Sequence, residues 1–420
     1  MLNFITSFLS TPAFIIGLIA LIGLIALRKS SSDVIKGTLK TILGFLILQQ
    51  GSNIIVNGLI PFSQMFESAF HLNGVIAEDN AIAAAVQTVL SLETSLILVF
   101  GFLINLLLAR ITKFKYIFLT GHMMFSMAAT IAIVFDQMGI NGWTAIAIGS
   151  VIQGLASVLF PAMAQPFVRK VTNTNDVAFG FYGSSLIWFT GWIGGLLGDK
   201  EKSTEDIQIS GKVDFLKEMS ILMSIVMILV YGITALFVDP AKMAEIAGGQ
   251  NVVLFVLTQA LTFVVGILVL LQGVRMFLGE LIPAFKGISE KLVPGAIPAL
   301  DVPIFYSFAP NATTIGFIMA MIGGVLATLL SSLTSVVVLP SVIGLFFMGA
   351  AAGVFGNAMG GRRGAIISGF LLGFLFQIIV AVAYPLVDLG KYGITGLWFA
   401  SPDAIIVVAI MRLVGKLFGV

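Results

Sequence analysis

Long apolar runs separated by short polar knots set the pattern of this chain. Runs near or beyond the ~18 residues that a membrane helix needs predict about eleven spans. They fall at residues 12–28, 36–60, 93–110, 115–135, 143–165, 218–238, 251–278, 312–338, 341–358, 364–386 and 400–418. The knots sort by charge. Arg28, Lys29, Lys36 and Lys40 lie at the junction of spans one and two, Arg110, Lys113 and Lys115 follow span three, and Arg169, Lys170, Lys200, Lys202 and Lys212 follow span five. Lys286 and Lys291 follow span seven, Arg362 and Arg363 follow span nine, and Arg412 and Lys416 close span eleven. Only Lys242 and Lys391 fall in the opposite loops. Basic loops stay in the cytoplasm, so the N-terminus is expected outside and the C-terminus inside.

The pattern also repeats. Leu48-Gln49-Gln50-Gly51, followed by Leu59-Ile60-Pro61, recurs as Leu270-Leu271-Gln272-Gly273 and Leu281-Ile282-Pro283. The same register, carried forward without a gap, sets Asp79 against Asp301. The first copy closes a span running outward and the second a span running inward, so an inverted repeat is expected, with the site at the repeat interface.

After each copy comes a stretch unsuited to crossing. Residues 279–292 carry Leu281, Ile282, Phe285, Ile288 and Leu292 on one face and Glu280, Lys286 and Glu290 on the others, the pattern of a helix lying along the membrane surface. Pro294, Pro298, Pro303 and Pro310 surround Asp301 and preclude a continuous helix. Irregular backbone at membrane depth survives only where protein or a cavity surrounds it, so a re-entrant hairpin is predicted over 293–311. Symmetry places its counterpart over 72–92, around Asn73-Gly74 and Glu78-Asp79-Asn80. The glycine-rich stretch 179–198, flanked by charge on both sides, is predicted to insert only part-way, with 200–213 as a cytoplasmic loop.

Composition agrees with an all-α integral membrane protein: 58% hydrophobic, 10% charged, mean hydropathy +1.09, where soluble domains carry about 25% charged residues. A net charge of +2 gives no reason to expect nucleic acid as a partner. Zero cysteines exclude disulfides, thiol nucleophiles and thiolate metal sites. Residues 1–12 lack the basic n-region of a cleavable signal peptide. No Walker A motif, zinc-spaced cluster or nucleophile elbow occurs, so no cofactor, no metal and no autonomous catalysis is expected.

Ionisable side chains at membrane depth are functional candidates by default. Asp79 and Asp301 stand in the predicted hairpins, Glu93 opens span three and His122 lies in span four. Gln49, Gln50, Asn53, Asn105, Gln153 and Gln377 add uncharged polar groups. Asp301 reads as a ligand-binding residue ahead of a helix cap, and His122 as a ligand ahead of a structural histidine. Asp79 reads equally as a binding residue or as part of a solvated turn. Gln50 and Gln272 are expected to join helices, and Glu93 to sit at the interface.

Several stretches together resemble the membrane IIC component of the ascorbate-type sugar phosphotransferase system, over essentially all 420 residues. They are Leu27-Arg28-Lys29, Ile35-Lys36-Gly37-Thr38, the run from Gly44-Phe45 to Gly51-Ser52, and Leu119-Thr120-Gly121-His122. Gln272-Gly273-Val274-Arg275-Met276-Phe277, Pro294-Gly295-Ala296 and Tyr306-Ser307-Phe308-Ala309-Pro310-Asn311-Ala312 continue the likeness.

The resemblance implies a homodimer in the bilayer, with a scaffold domain (about 1–70 and 215–292) and a mobile core (about 71–214 and 293–420) that moves like an elevator. It implies phosphorylation of the carried sugar by a separate cytoplasmic phospho-IIB protein working with IIA. Carried over by position, the substrate site comprises Gln49, Gly51, Ser52, Asp79, Asn80, His122, Met123, Met124, Phe125, Ser126, Phe181, Tyr182 and Asp301. Two departures bear on the substrate. The family has a His-Gln pair where Phe181-Tyr182 stands, and a glutamine where Ser126 stands. The expected cargo is therefore L-ascorbate or a related sugar acid or sugar. An ion-coupled secondary carrier using Asp79 and Asp301 is the alternative. Phe181, Tyr182 and Trp188 are expected to pack at the interface rather than to stack on the sugar.

Overall fold

The computed structural model describes residues 11–70, 74–207, 219–291, 293–331, 336–394 and 396–419. In the first half the elements are α1 (Pro12–Ala26), α2 (Ser31–Phe70), β1 (Val75–Ala77), α3 (Asp79–Ala85), α4 (Gln87–Ile111), β2 (Tyr116–Phe118), α5 (Gly121–Gln137), α6 (Gly142–Thr172), β3 (Ala178–Phe179) and α7 (Ser184–Leu197). The second half holds α8 (Met219–Leu236), α9 (Pro240–Ile246), α10 (Val252–Lys291), β4 (Ile297–Leu300), α11 (Pro303–Tyr306), α12 (Pro310–Ser331), β5 (Val338–Leu339), α13 (Val342–Ala383), β6 (Leu397–Trp398) and α14 (Pro402–Phe418). His71, Leu72, Asn73 and residues 208–213 of the predicted loop, Lys212 among them, lie outside the described residues.

The repeat is visible element by element. In the register that sets Asp79 against Asp301, α2 falls on α10, β1 on β4, α4 on α12 and β2 on β5. Both α2 and α10 run for 40 residues, or about 60 Å, against a hydrocarbon core of ~30 Å. They pack antiparallel: Lys40 Nζ sits 3.0 Å from Glu280 Oε1, while Gly58 lies against the backbone of Phe263. Residues 279–291 therefore continue α10, and the separate surface helix expected there is not present. The turn of the chain comes after Lys291 because Pro283, like Pro61 in α2, is accommodated inside its helix; neighbouring helices make such prolines tolerable in membranes. Helices α1, α2, α8 and α10 pack on one another, whereas α4 packs on α6, and α13 on α12 and α7.

Among the described residues, four segments are long and apolar enough to cross a membrane: Leu92–Ile111, Gly142–Thr172, Pro310–Ser331 and Ile343–Leu386. Shorter apolar helices are Ser184–Leu197, Met223–Leu236 and Val252–Gly266. On α6, Ile148, Val151, Leu155 and Leu159 form an exposed stripe at helical spacing, the surface that faces lipid when such a helix is embedded. The segment predicted as span four is not one continuous helix. It is strand β2 followed by the 17-residue α5, whose residues from Met123 to Phe135 are nearly all buried inside the protein. Spans nine and ten share α13, which reverses at Gly360 and Gly361, bringing Gly356 against Gly364. Gly361 takes φ 61°, a left-handed conformation that suits glycine.

The fold is 77% helical, but the two hairpins also carry strands. These form two parallel three-stranded sheets, β5–β1–β6 and β2–β4–β3. The central strand of each sheet comes from one half and both flanking strands from the other. Membrane-depth backbone needs internal partners, and polar side chains from the helices supply them at the sheet edges. Asn105 donates to Tyr116 O and accepts from Phe118 N, while Gln165 donates to Val177 O. Gln377 donates to Val338 O on the other sheet.

A strap over residues 199–207 ties the turn in α13 to the helix after the second hairpin. Asp199 N donates to Gly360 O, and Arg362 donates to Lys202 O and Ser203 O. The Glu205 carboxylate accepts from Asn311 N and Ala312 N in the first turn of α12. Backbone N–H donation from Glu201, with Lys202 beside it, holds the Asp199 carboxyl below the usual carboxylate range.

Candidate functional site

Sheet β2–β4–β3 ends in a ready-made cluster. Phe118 pairs with Ala299, and Phe179 with Leu300. Continuing that register brings Thr120, Asp301 and Gly180 to the same edge. Gly180 N donates to Leu300 O at 2.7 Å, and a Cβ there would lie 2.4 Å from Ala299 O, so the approach requires glycine.

At this edge His122, in the first turn of α5, meets Asp301. Nε2 and Oδ2 are 3.8 Å apart, and both side chains are partly exposed, 31% and 16%. The other Asp301 oxygen accepts from Val302 N at 2.7 Å. Oδ2 is therefore the oxygen turned toward the imidazole.

Asp79 stands at the equivalent place in the other half, with its carboxylate already engaged. It accepts from Ala400 N at 2.8 Å and from the Ser401 hydroxyl. Ala77 pairs with Trp398 where Ala299 pairs with Ala178, so Ser401 is the counterpart of Phe181, and the hydroxyl that holds Asp79 has no equivalent beside Asp301. Ser401 Oγ also lies 3.9 Å from Met123 Sδ, which links the Asp79 cluster to the helix bearing His122. The structure thus gathers Asp79, His122, Met123 and Asp301.

Met124 and Ser126 are buried on α5 and Phe125 is partly buried. Met124 O accepts from Gln153 Nε2. Tyr182 is buried, stacked on Phe118 with ring centres 4.6 Å apart, and its hydroxyl is 3.0 Å from Ser157 Oγ. Phe181 packs edge-on against Phe179. Trp188 likewise packs on Phe167. Gln49, Gly51 and Ser52 lie within α2, and Asn80 follows Asp79 in α3. Gln50 and Gln272 are exposed on their helices.

One carboxylate escaped the sequence reading. Asp403, fully buried, accepts from Ser184 N, Ser185 N and the Ser185 hydroxyl, while its own N–H donates to Tyr182 O. It clamps the 181–185 turn and caps α7 from the first turn of α14. Its position inside the last predicted span, after Ser401-Pro402, was the available signal.

Two repeated halves of apolar helices, with a polar cluster where their sheets end, mark a helical membrane protein. The model of the family described as PTS system sugar-specific permease component matches residues 7–403, and the chain belongs to that family. It is similar to the "Ascorbate-specific PTS system EIIC component" of Mycoplasma pneumoniae, at 31% identity over 438 aligned residues. The alignment covers 90% of this chain and 66% of that relative, so the chain spans about two thirds of the relative's length.

Proposed function

We propose that this chain is the permease subunit of a sugar phosphotransferase complex and carries L-ascorbate, or a related sugar acid or sugar, across the membrane. A cytoplasmic phospho-IIB protein, recharged by IIA, phosphorylates the cargo. The observation that carries this reading is the Asp301 carboxylate facing His122 in a chain of the sugar-specific permease family. A carboxylate and an imidazole at that spacing suit the hydroxyls or enediol of one small sugar. Ser126, Met123, Met124, Phe125, Asn80, Gln49, Gly51 and Ser52 complete the proposed lining. Asp79 serves by fixing its hairpin, while Phe181 and Tyr182 shape the wall.

The packing of α1, α2, α8 and α10 on one another supports a scaffold of about 1–70 and 215–292, against which the rest moves like an elevator. The scaffold joins two protomers in a homodimer. The basic loops support a cytoplasmic C-terminus and an external N-terminus.

The test is binding of labelled L-ascorbate to purified protein, with sugars and polyols as competitors, followed by uptake in vesicles. Saturable binding with uptake dependent on phosphoenolpyruvate supports the proposal. Uptake that survives without phosphoenolpyruvate yet collapses with an uncoupler overturns it in favour of ion coupling.

A further inference from the structure

At the edge of β2–β4–β3, the N-terminus of α5 is left open. Thr120 occupies the N-cap, a position where a threonine hydroxyl commonly accepts from the first turn, yet no side chain caps this helix. Thr120 is only 4% exposed and Ser126 only 5%. Neither hydroxyl has a hydrogen-bond partner among the described residues. Buried polar groups in native proteins are nearly always paired, so two unpaired hydroxyls flanking one histidine call for an explanation.

Their placement gives one. Thr120 is two residues beyond Phe118 and Asp301 two residues beyond its partner Ala299, so they stand side by side on adjacent parallel strands. Ser126 lies one turn beyond His122 on the same helix face. The other half shows the closed version of this edge. There Ser341 caps α13 by accepting from Gly344 N, and Ala400 N and Ser401 occupy Asp79. The open edge lacks these internal partners.

We propose that Thr120 contacts the ligand and determines specificity, holding one sugar hydroxyl between itself, the uncapped first turn of α5 and Asp301; this rests on the sugar-site reading above. A hydroxyl both donates and accepts. It donates to Asp301 Oδ2 and accepts from the Thr120 hydroxyl or from an N–H of the first turn of α5. A bare anionic oxygen has no proton to give Asp301, so this position selects a protonated hydroxyl.

Thr120→Val keeps the shape and removes the hydroxyl; Thr120→Ser keeps the hydroxyl; Asp301→Asn reports on the site as a whole. Binding is measured with labelled L-ascorbate and with neutral hexoses and hexitols, alongside thermal unfolding of the ligand-free protein. Thr120→Val is expected to unfold at or above the wild-type midpoint while binding roughly tenfold more weakly, with Thr120→Ser close to wild type. Wild-type affinity in Thr120→Val, with binding lost in Asp301→Asn, overturns the role of Thr120 and leaves the sugar site standing. Wild-type affinity in Asp301→Asn, or a wild-type protein that takes none of the probes, overturns the sugar site and this inference together.

Discussion

His122 and Asp301 face each other at 3.8 Å, one from the start of α5 and the other from the end of β4. The gap is wider than a direct hydrogen bond, so a ligand oxygen can be shared between them. No equivalent histidine stands opposite Asp79 in the repeat register, where Gly344 occupies the position. One half of the molecule thus offers a carboxylate with one oxygen turned to an imidazole, and the other a carboxylate hydrogen-bonded at both oxygens.

Asp301→Asn is expected to lower sugar affinity by about 10- to 100-fold, the loss of a charge-assisted hydrogen bond of ~1.5–3 kcal/mol. The fold should survive, since asparagine can still accept from Val302 N. Titration of purified protein with labelled ligand checks this, and unchanged affinity would remove Asp301 from the site.

Ser401→Ala takes away one of the donors to the buried Asp79 carboxylate. Stability should fall by about 1–3 kcal/mol, read as a lower unfolding midpoint in detergent. Sugar affinity should change less than in Asp301→Asn. A variant as stable as wild type would show that Asp79 does not depend on this hydroxyl.

Asp403→Ala strips the clamp from the 181–185 turn, leaving Ser185 N without its acceptor and Ser184 N with only the longer bond to Phe181 O. A drop of about 2 kcal/mol or more is expected, and Asp403→Asn should recover part of it. Thermal unfolding of the three proteins side by side decides the point.

Tyr182→Phe removes a hydroxyl bonded to Ser157 but keeps the stack on Phe118. The expected cost is about 1 kcal/mol in stability with sugar affinity unchanged. A marked loss of affinity would instead place the hydroxyl at the ligand.

Much of this architecture was legible in the residues. The duplicated Gln-Gly and Leu-Ile-Pro sequences set a register in which Val75–Ala77 falls on Ile297–Ala299, and both segments are strands. The proline cluster around Asp301 marked a break in the helical pattern, where the structure has strand β4 and the four-residue α11. The strands themselves were hidden, because segments of two to four residues are too short for an alternating pattern to register. The continuation of α10 past Gly279 was missed because a change from apolar to amphipathic pattern resembles a boundary when no partner helix is in view. Asp403 was passed over for a related reason: the donors to its carboxylate lie more than 200 residues away in sequence, so no local motif announces the clamp. The role of Asn105 was equally tertiary, since a sheet edge must exist before a side chain can cover it.

The exchange of central strands between the halves has a consequence for biosynthesis. β1 emerges from the ribosome early, but its partners are Val338–Leu339 and Leu397–Trp398. Strand β1 must therefore wait, unpaired, until residues 338–398 have been translated. The order of manufacture and the order of assembly cannot coincide here. Residues 1–207 and 219–420 expressed as separate fragments should each be degraded alone, and should rescue each other when made in the same cell.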